Sequence, residues 1–370
     1  MARKYDGPII DVDLHHNWKT PAEVAQYLPE EWRDYALGSI PRGPRSGIAS
    51  SNVSGGMKRR DAYRVPEETV CSDIDFVRDQ LLDRYNFWRS ILTFDTGQHG
   101  NTENPYFGAA SARAANEWTA DTWLTWDDRL YSVISIGLGL PEEAAKEIRR
   151  AGQNPRFVAT LLPGAPDRPY GDPIYDPIWA AASEMDLPID IHPGAGAPRE
   201  AGGMPTSNFG VFTTLWHNIM HQLTSCIVHG VFEKWPATRV LVKEFGTAWL
   251  PYFMMNLDRN YEALKLESRW VRKWPSEYIR EHVKLGTQPI EDPEDPADLQ
   301  RLYQAFEMED LLCFATDYAH ATFDDPDVIA RRLPDGWARK VMCDNACRHY
   351  GWTPPPAMHS ADREAVAGRA

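Results

Sequence analysis

The chain has 370 residues, enough for one large α/β domain or two smaller ones, with 43% apolar and 25% charged residues, so neither disorder nor a fibrous class is indicated. Its formal net charge of −14 argues against non-specific nucleic-acid binding, because a polyanion would be repelled by most of the surface. A small-molecule substrate fits better. No run of about 18 uncharged apolar residues marks a membrane span, and the N-terminal MARKYDGPIID lacks the apolar core of a signal peptide, so a cytoplasmic location is expected.

Short apolar runs alternate with helical patterns along the chain, the signature of βα units around a buried parallel sheet. GPIIDVDLH opens the series as a strand. Seven more follow: RSILTFD (89–95), YSVISIG (131–137), RFVATLL (156–162), LPIDIHP (187–193), RVLVKEFG (239–246), HVKLGTQ (282–288) and LLCFATD (311–317). Between them lie amphipathic stretches such as PEEAAKEIRRAG, with Pro and acidic residues at its start and Gly at its end. Eight strands separated by helices favour a TIM-like (β/α)8 barrel over a doubly wound open sheet.

Residues 1–353 read as one barrel domain. The Gly-, Ser-, Pro- and Arg-rich stretch 38–66 reads as a long insertion after the first strand, a lid or an oligomer contact, and 354–370 as a loose tail. The five cysteines are odd in number and scattered, which suits reduced thiols; the CxxxC pair Cys343 and Cys347 is taken as core packing.

The chemistry is placed by where polar residues fall. Barrel enzymes carry their catalytic side chains at the C-terminal ends of strands, and Asp11, Asp13 and His15, His192, Glu244 and Asp317 occupy such ends on the first, fifth, sixth and eighth strands. One histidine ending a strand can be a core or turn residue. Several carboxylates and imidazoles converging on one mouth are hard to explain without a divalent cation to neutralise them. His217 and His221, four apart in TLWHNIMHQLTS, share one face of a helix and either approach the same centre or are packed or water-bonded. His16 points away from His15 on the strand and is expected in the core, and His320 either orients Asp317 or lies in a plain loop.

These segments together, namely IIDVDLHH, PIDIHPG, GVFEKWPATRVLVKEFGTAWLPYFMMNLDRNY, LLCFATDYAH and CDNACRHYGW, give the chain a resemblance to the amidohydrolase-related metal-dependent enzymes, in the branch that holds aromatic-acid decarboxylases. The resemblance covers nearly the whole chain. It implies a TIM-like barrel with a catalytic divalent metal, and ligand positions at Asp13, His15, His192 and Asp317. Three departures stand out: Asp13 replaces the first His of the usual HxH, Glu244 replaces the usual sixth-strand His, and the fourth strand has no lysine to bridge two metals. Carboxylates in place of imidazoles shift preference from zinc toward iron or manganese, with zinc still open.

At a finer level the chain resembles hydroxylases on this scaffold, such as the 2-aminoisobutyrate hydroxylase subunits. That likeness implies a dinuclear non-heme monooxygenase that hydroxylates a small organic substrate with O2 and electrons from an external partner. Its ligands would be Asp13, His15, His192, His217, His221, Glu244 and Asp317, one or two metals would be bound per chain, and Glu244, Asp317 and His221 would take the catalytic roles. The alternative is a mononuclear hydrolase or decarboxylase, with Asp317 as base and Glu244 or His221 as proton donor. A homologous second subunit or a homo-oligomer stays open.

Overall fold

The computed structural model describes residues 5–37, 58–65, 68–94, 104–193 and 207–356. Eight parallel strands run in the order of the chain: β1 (Ile10–His16), β2 (Arg89–Phe94), β3 (Leu130–Ile134), β4 (Phe157–Pro163), β5 (Ile189–His192), β6 (Val240–Val242), β7 (Val283–Gly286) and β8 (Leu312–Cys313). The eighth strand returns to the first. Val12 N donates to Phe314 O at 3.0 Å, Asp317 N to Asp13 O at 3.0 Å and His15 N to Tyr318 O at 2.9 Å, so the sheet closes into the expected barrel with helices between the strands. All eight expected strands are present.

Strand alternation sorts each side chain to the lumen or to the helical shell. On β5, Ile189 and Ile191 pack outward against the helices while Asp190 and His192 take the opposite face. On β6, Val240 and Val242 face the shell and Leu241 the lumen. Ile10, Val12, Ile91, Val133, Ala159, Leu161, Leu241, Cys313 and Ala315 fill the barrel interior. Ala346, Cys347 and Tyr350 of the terminal helix Asn345–Tyr350, with Cys343 just before it, close that interior core at its base. Cys343 and Cys347 are therefore core residues, their sulfurs 3.8 Å apart and both buried.

The helices follow ordinary rules. Pro141–Ala151 begins with proline and two glutamates, carries Arg149 and Arg150 in its last turn before Gly152, and buries Ala144, Ala145, Ile148 and Ala151. Among the described residues no helix is long and apolar enough to cross a membrane. The insertion expected at 38–66 falls mostly outside the described residues, as does the tail beyond residue 356. Its last residues return to the barrel: Lys58 forms an antiparallel bridge with His320, and Arg59 N donates to Ala319 O at 2.9 Å.

Candidate metal centre

Two departures from regular strand geometry build the site. On β1, Ile10 and Val12 face the lumen, yet Leu14 belongs to the outer core, and the pairing with β2 shifts register between Asp11 and Leu14. Such a bulge changes the parity of the strand, so Asp13 and His15 follow Val12 into the barrel mouth while His16 turns outward. His16 is indeed a core residue: its ring stacks among Phe94, Trp118 and Trp123, and its nitrogens meet Thr93 O at 3.1 Å and Thr119 Oγ1 at 3.0 Å.

The second departure is at Glu244. Strict alternation after Leu241 would send Lys243 inward and Glu244 outward. Glu244 instead adopts a left-handed backbone, φ 59°, and its carboxylate reaches the mouth; Asp317 does the same at φ 54°. A non-glycine residue in that region is strained and is held there by its surroundings, a pattern concentrated at functional sites.

Two overlapping groups of ligand-type atoms result, each with all members within 4.8 Å of one another: Asp13, His15, His192 and Glu244, and His15, Glu244, Asp317 and His320. His192 Nε2 lies 3.1 Å from Glu244 Oε2 and 3.3 Å from Asp13 Oδ2. His15 Nε2 meets Asp317 Oδ1 at 2.9 Å, and the His15 ring stands edge-on to those of His192 and His320. Asp317 is held on every side, by His15 and His320 Nδ1 at Oδ1, and by Gln288 Nε2 at 2.8 Å and Thr322 Oγ1 at 3.1 Å at Oδ2. Lys58 Nζ lies 2.5 Å from His320 Nε2.

Burial makes these charges consequential. Asp13, His15 and Asp317 are fully shielded, and His192 and Glu244 nearly so. Burial alone would lower the His192 imidazole, but the Asp13 and Glu244 carboxylates outweigh it and raise it to about 10. Burial alone would raise Asp13, yet His192, Lys243 and His15 hold it well below the usual carboxylate range. Asp317 is likewise held low, by His320 and His15 against burial.

The residues fit a divalent cation on an observation internal to the site. Neither oxygen of the fully buried Asp13 accepts a well-formed hydrogen bond among the described residues, Oδ2 meeting only the His192 imidazole at 3.3 Å, and Nδ1 of His15 makes none either. Unsatisfied buried lone pairs are costly unless something electropositive meets them. A mixed imidazole and carboxylate set suits manganese or iron and accommodates zinc.

Not every expected residue is present at the centre. His217 and His221 lie on the exposed face of the helix Trp216–Val228, whose buried face is formed by Ile219, Gln222, Leu223, Ser225, Cys226 and Ile227, and neither joins a ligand group. Asp11 also turns away: its carboxylate accepts from Thr316 N at 2.9 Å, Thr316 Oγ1 at 2.6 Å and Asp13 N at 3.1 Å, stapling β1 to β8. Conversely, Gln288, Lys58 and Lys243 were not singled out from the sequence. Gln288 ends a strand segment and Lys243 alternates with Leu241, so both carried a signal, whereas Lys58 lies in an aperiodic stretch.

A closed parallel barrel with convergent imidazoles and carboxylates at its strand ends defines a metal-site barrel of the enzyme type. The chain belongs to the amidohydrolase family, whose pattern matches residues 65–352. A gamma-resorcylate decarboxylase from Rhizobium sp. (strain MTP-10005) is 24% identical over 226 residues, spanning 58% of this chain and 68% of that protein. An amidohydrolase from Mycobacterium avium subsp. paratuberculosis K-10 superposes with a TM-score of 0.69 at 18% identity, covering 94% of this chain and 99% of its own. A 5-carboxyvanillate decarboxylase from Novosphingobium aromaticivorans, solved with manganese, superposes at 0.66 and 19% identity over 93% and 96% of the two chains.

These relatives correct the expectation of a monooxygenase. Gamma-resorcylate decarboxylases are among the relatives by sequence, and the histidine pair on which a dinuclear oxygen-activating centre rested faces solvent. The expected need for O2 and an electron-transfer partner falls with it.

Proposed function

We propose that this chain is a metal-dependent, non-oxidative decarboxylase of a carboxylated aromatic acid of the benzoate type. The observation that carries the proposal is the convergence of Asp13, His15, His192 and Glu244 within 4.8 Å of one another, with Asp317 and His320 adjoining. The substrate class is supported by relatives that act on gamma-resorcylate and 5-carboxyvanillate.

Asp13, His15, His192 and Glu244 would hold one divalent ion, manganese by preference. When bound, that ion supplies a Lewis acid that anchors the substrate carboxylate and neutralises the clustered acids. The chain's own groups handle the proton. Decarboxylation breaks the bond from ring carbon to carboxyl carbon, leaves the electron pair on the ring, releases CO2 and requires one proton at the vacated carbon.

Asp317 Oδ1 and His320 Nδ1 share a hydrogen bond, and Lys58 Nζ adjoins His320 Nε2. His320 is the more exposed partner, its side chain 14% accessible against 0% for Asp317. A proton held at His320 Nδ1 passes to Asp317 Oδ1 and from there to the ring carbon. A carboxyl whose ionised form is favoured by His320 and His15 against its burial gives up a proton readily once protonated, which suits transfer to carbon. Gln288 and Thr322 fix the orientation of Asp317 throughout.

The test is product analysis in D2O with a panel of hydroxylated benzoates and the Mn2+-loaded chain. The expected product is the parent phenol carrying one deuterium at the vacated carbon. A product that has gained oxygen, or one hydrolysed with its carboxylate intact, overturns the reading.

A further inference from the structure

Beneath the ligand cluster lies a buried ion pair that no step above uses. Lys243 and Asp190 are both fully shielded from solvent, with Lys243 Nζ 2.8 Å from Asp190 Oδ2 and donating to Thr93 Oγ1 at 3.3 Å. These residues come from the end of β6, from β5 and from β2, so the lysine spans the barrel interior rather than joining neighbouring strands alone.

Each member adjoins a proposed ligand. Lys243 immediately precedes Glu244, Asp190 lies two residues before His192 on the same inward face, and Thr93 is the cross-strand partner of His15. Asp190 is gripped from the base of the barrel as well, by Tyr350 Oη donating at 3.0 Å and by His349 Nε2 at 3.4 Å.

Stability alone explains this pair poorly. Two charges taken out of water lose hydration that their attraction barely recovers, and well-packed apolar residues in such places are often as stable or more so. Glu244, meanwhile, holds a left-handed backbone that only over-determined surroundings maintain, and the lysine tether is one residue away.

We propose that the Lys243–Asp190 pair is a positioning device for the metal centre, fixing the ends of β5 and β6 against β2 and thereby the separation and orientation of Glu244, His192 and His15. This rests on the metal-dependent reading above.

The experiment uses the full chain carrying Lys243→Met and Asp190→Asn together. That double variant removes both charges at once, so the net charge is unchanged and no buried charge is left alone. Thermal melting checks the fold and Mn2+ titration reads the site. Melting close to wild type with Mn2+ binding weakened about 10- to 100-fold supports the proposal, the range typical for groups that orient metal ligands.

Wild-type Mn2+ affinity in the folded double variant overturns the positioning role alone. A wild-type chain that binds no Mn2+ overturns the metal reading and this proposal with it. Should the double variant not fold, Tyr350→Phe deletes a single donor to Asp190: binding weaker by about threefold or more supports the proposal, and unchanged binding overturns it.

Discussion

Glu244 Oε2 lies 3.1 Å from His192 Nε2, a contact between a residue turned into the barrel mouth by its left-handed backbone and one delivered there by strand alternation. The pair joins β6 to β5 at the level where a cation would be held. Glu244→Ala would remove one proposed ligand while leaving a side-chain-bearing residue at the same φ of 59°, so the loss is expected in metal binding rather than in folding. Mn2+ affinity measured by titration should fall at least about tenfold, with thermal stability of the metal-free chain little changed. Unchanged affinity would remove Glu244 from the ligand set.

His192 predicts a pH dependence with a definite sign. In the metal-free chain its imidazole is raised to about 10 by Asp13 and Glu244, against an ordinary value of 6.5. This contribution to stability is fully present below about pH 6.5 and is lost as pH rises toward about 10. A metal must displace the proton, so apparent Mn2+ affinity should rise about tenfold per pH unit, read by titrations near pH 6, 7 and 8. A flat profile would show that His192 is not protonated in the metal-free site.

His217→Ala and His221→Ala serve as controls with an expected null effect. Both side chains are exposed on the helix Trp216–Val228, away from the ligand groups. Metal content by elemental analysis should be unchanged, and stability should stay within about 0.5 kcal/mol of wild type. Loss of metal in either variant would return them to the site.

Asp11→Ala should act on the fold rather than the chemistry. Deleting its carboxylate strands the backbone N–H groups of Asp13 and Thr316 and the Thr316 hydroxyl where β1 meets β8. Buried donors left without partners cost about 1–3 kcal/mol each, so chemical denaturation should show a loss of about 3 kcal/mol. Burial pushes the Asp11 carboxyl up to about 7, so between about pH 4 and 7 the folded chain holds a proton that the unfolded chain releases, and this group's contribution to stability declines as pH rises through that window.

How much of this was legible in the sequence follows from the physics of each signal. Strand existence was plain, because a buried parallel sheet writes continuous apolar runs. His192 and Asp317 were readable from alternation with Asp190 and with Cys313 and Ala315. Asp13 and Glu244 were placed at the mouth by position, yet their orientation depends on a bulge and on a left-handed residue that periodicity does not encode.

For His217 and His221 the spacing by four says that two residues share a helix face and not which face, so the sequence leaves both readings of the pair open. The apolar set Ile219, Leu223, Cys226 and Ile227 defines the buried side and leaves both histidines opposite it. Lys58 reaches His320 from a segment without periodicity, so only tertiary structure reveals it.

The central claim is tested most directly by CO2 release from hydroxylated benzoates, comparing the Mn2+-loaded chain with the same preparation after chelation and after Mn2+ is restored. The account predicts CO2 release in step with loss of the substrate carboxylate, abolished by chelation and recovered with Mn2+, with no consumption of O2. A folded, Mn2+-loaded chain that releases no CO2 from any member of the panel, or that releases it equally well without metal, would contradict the account.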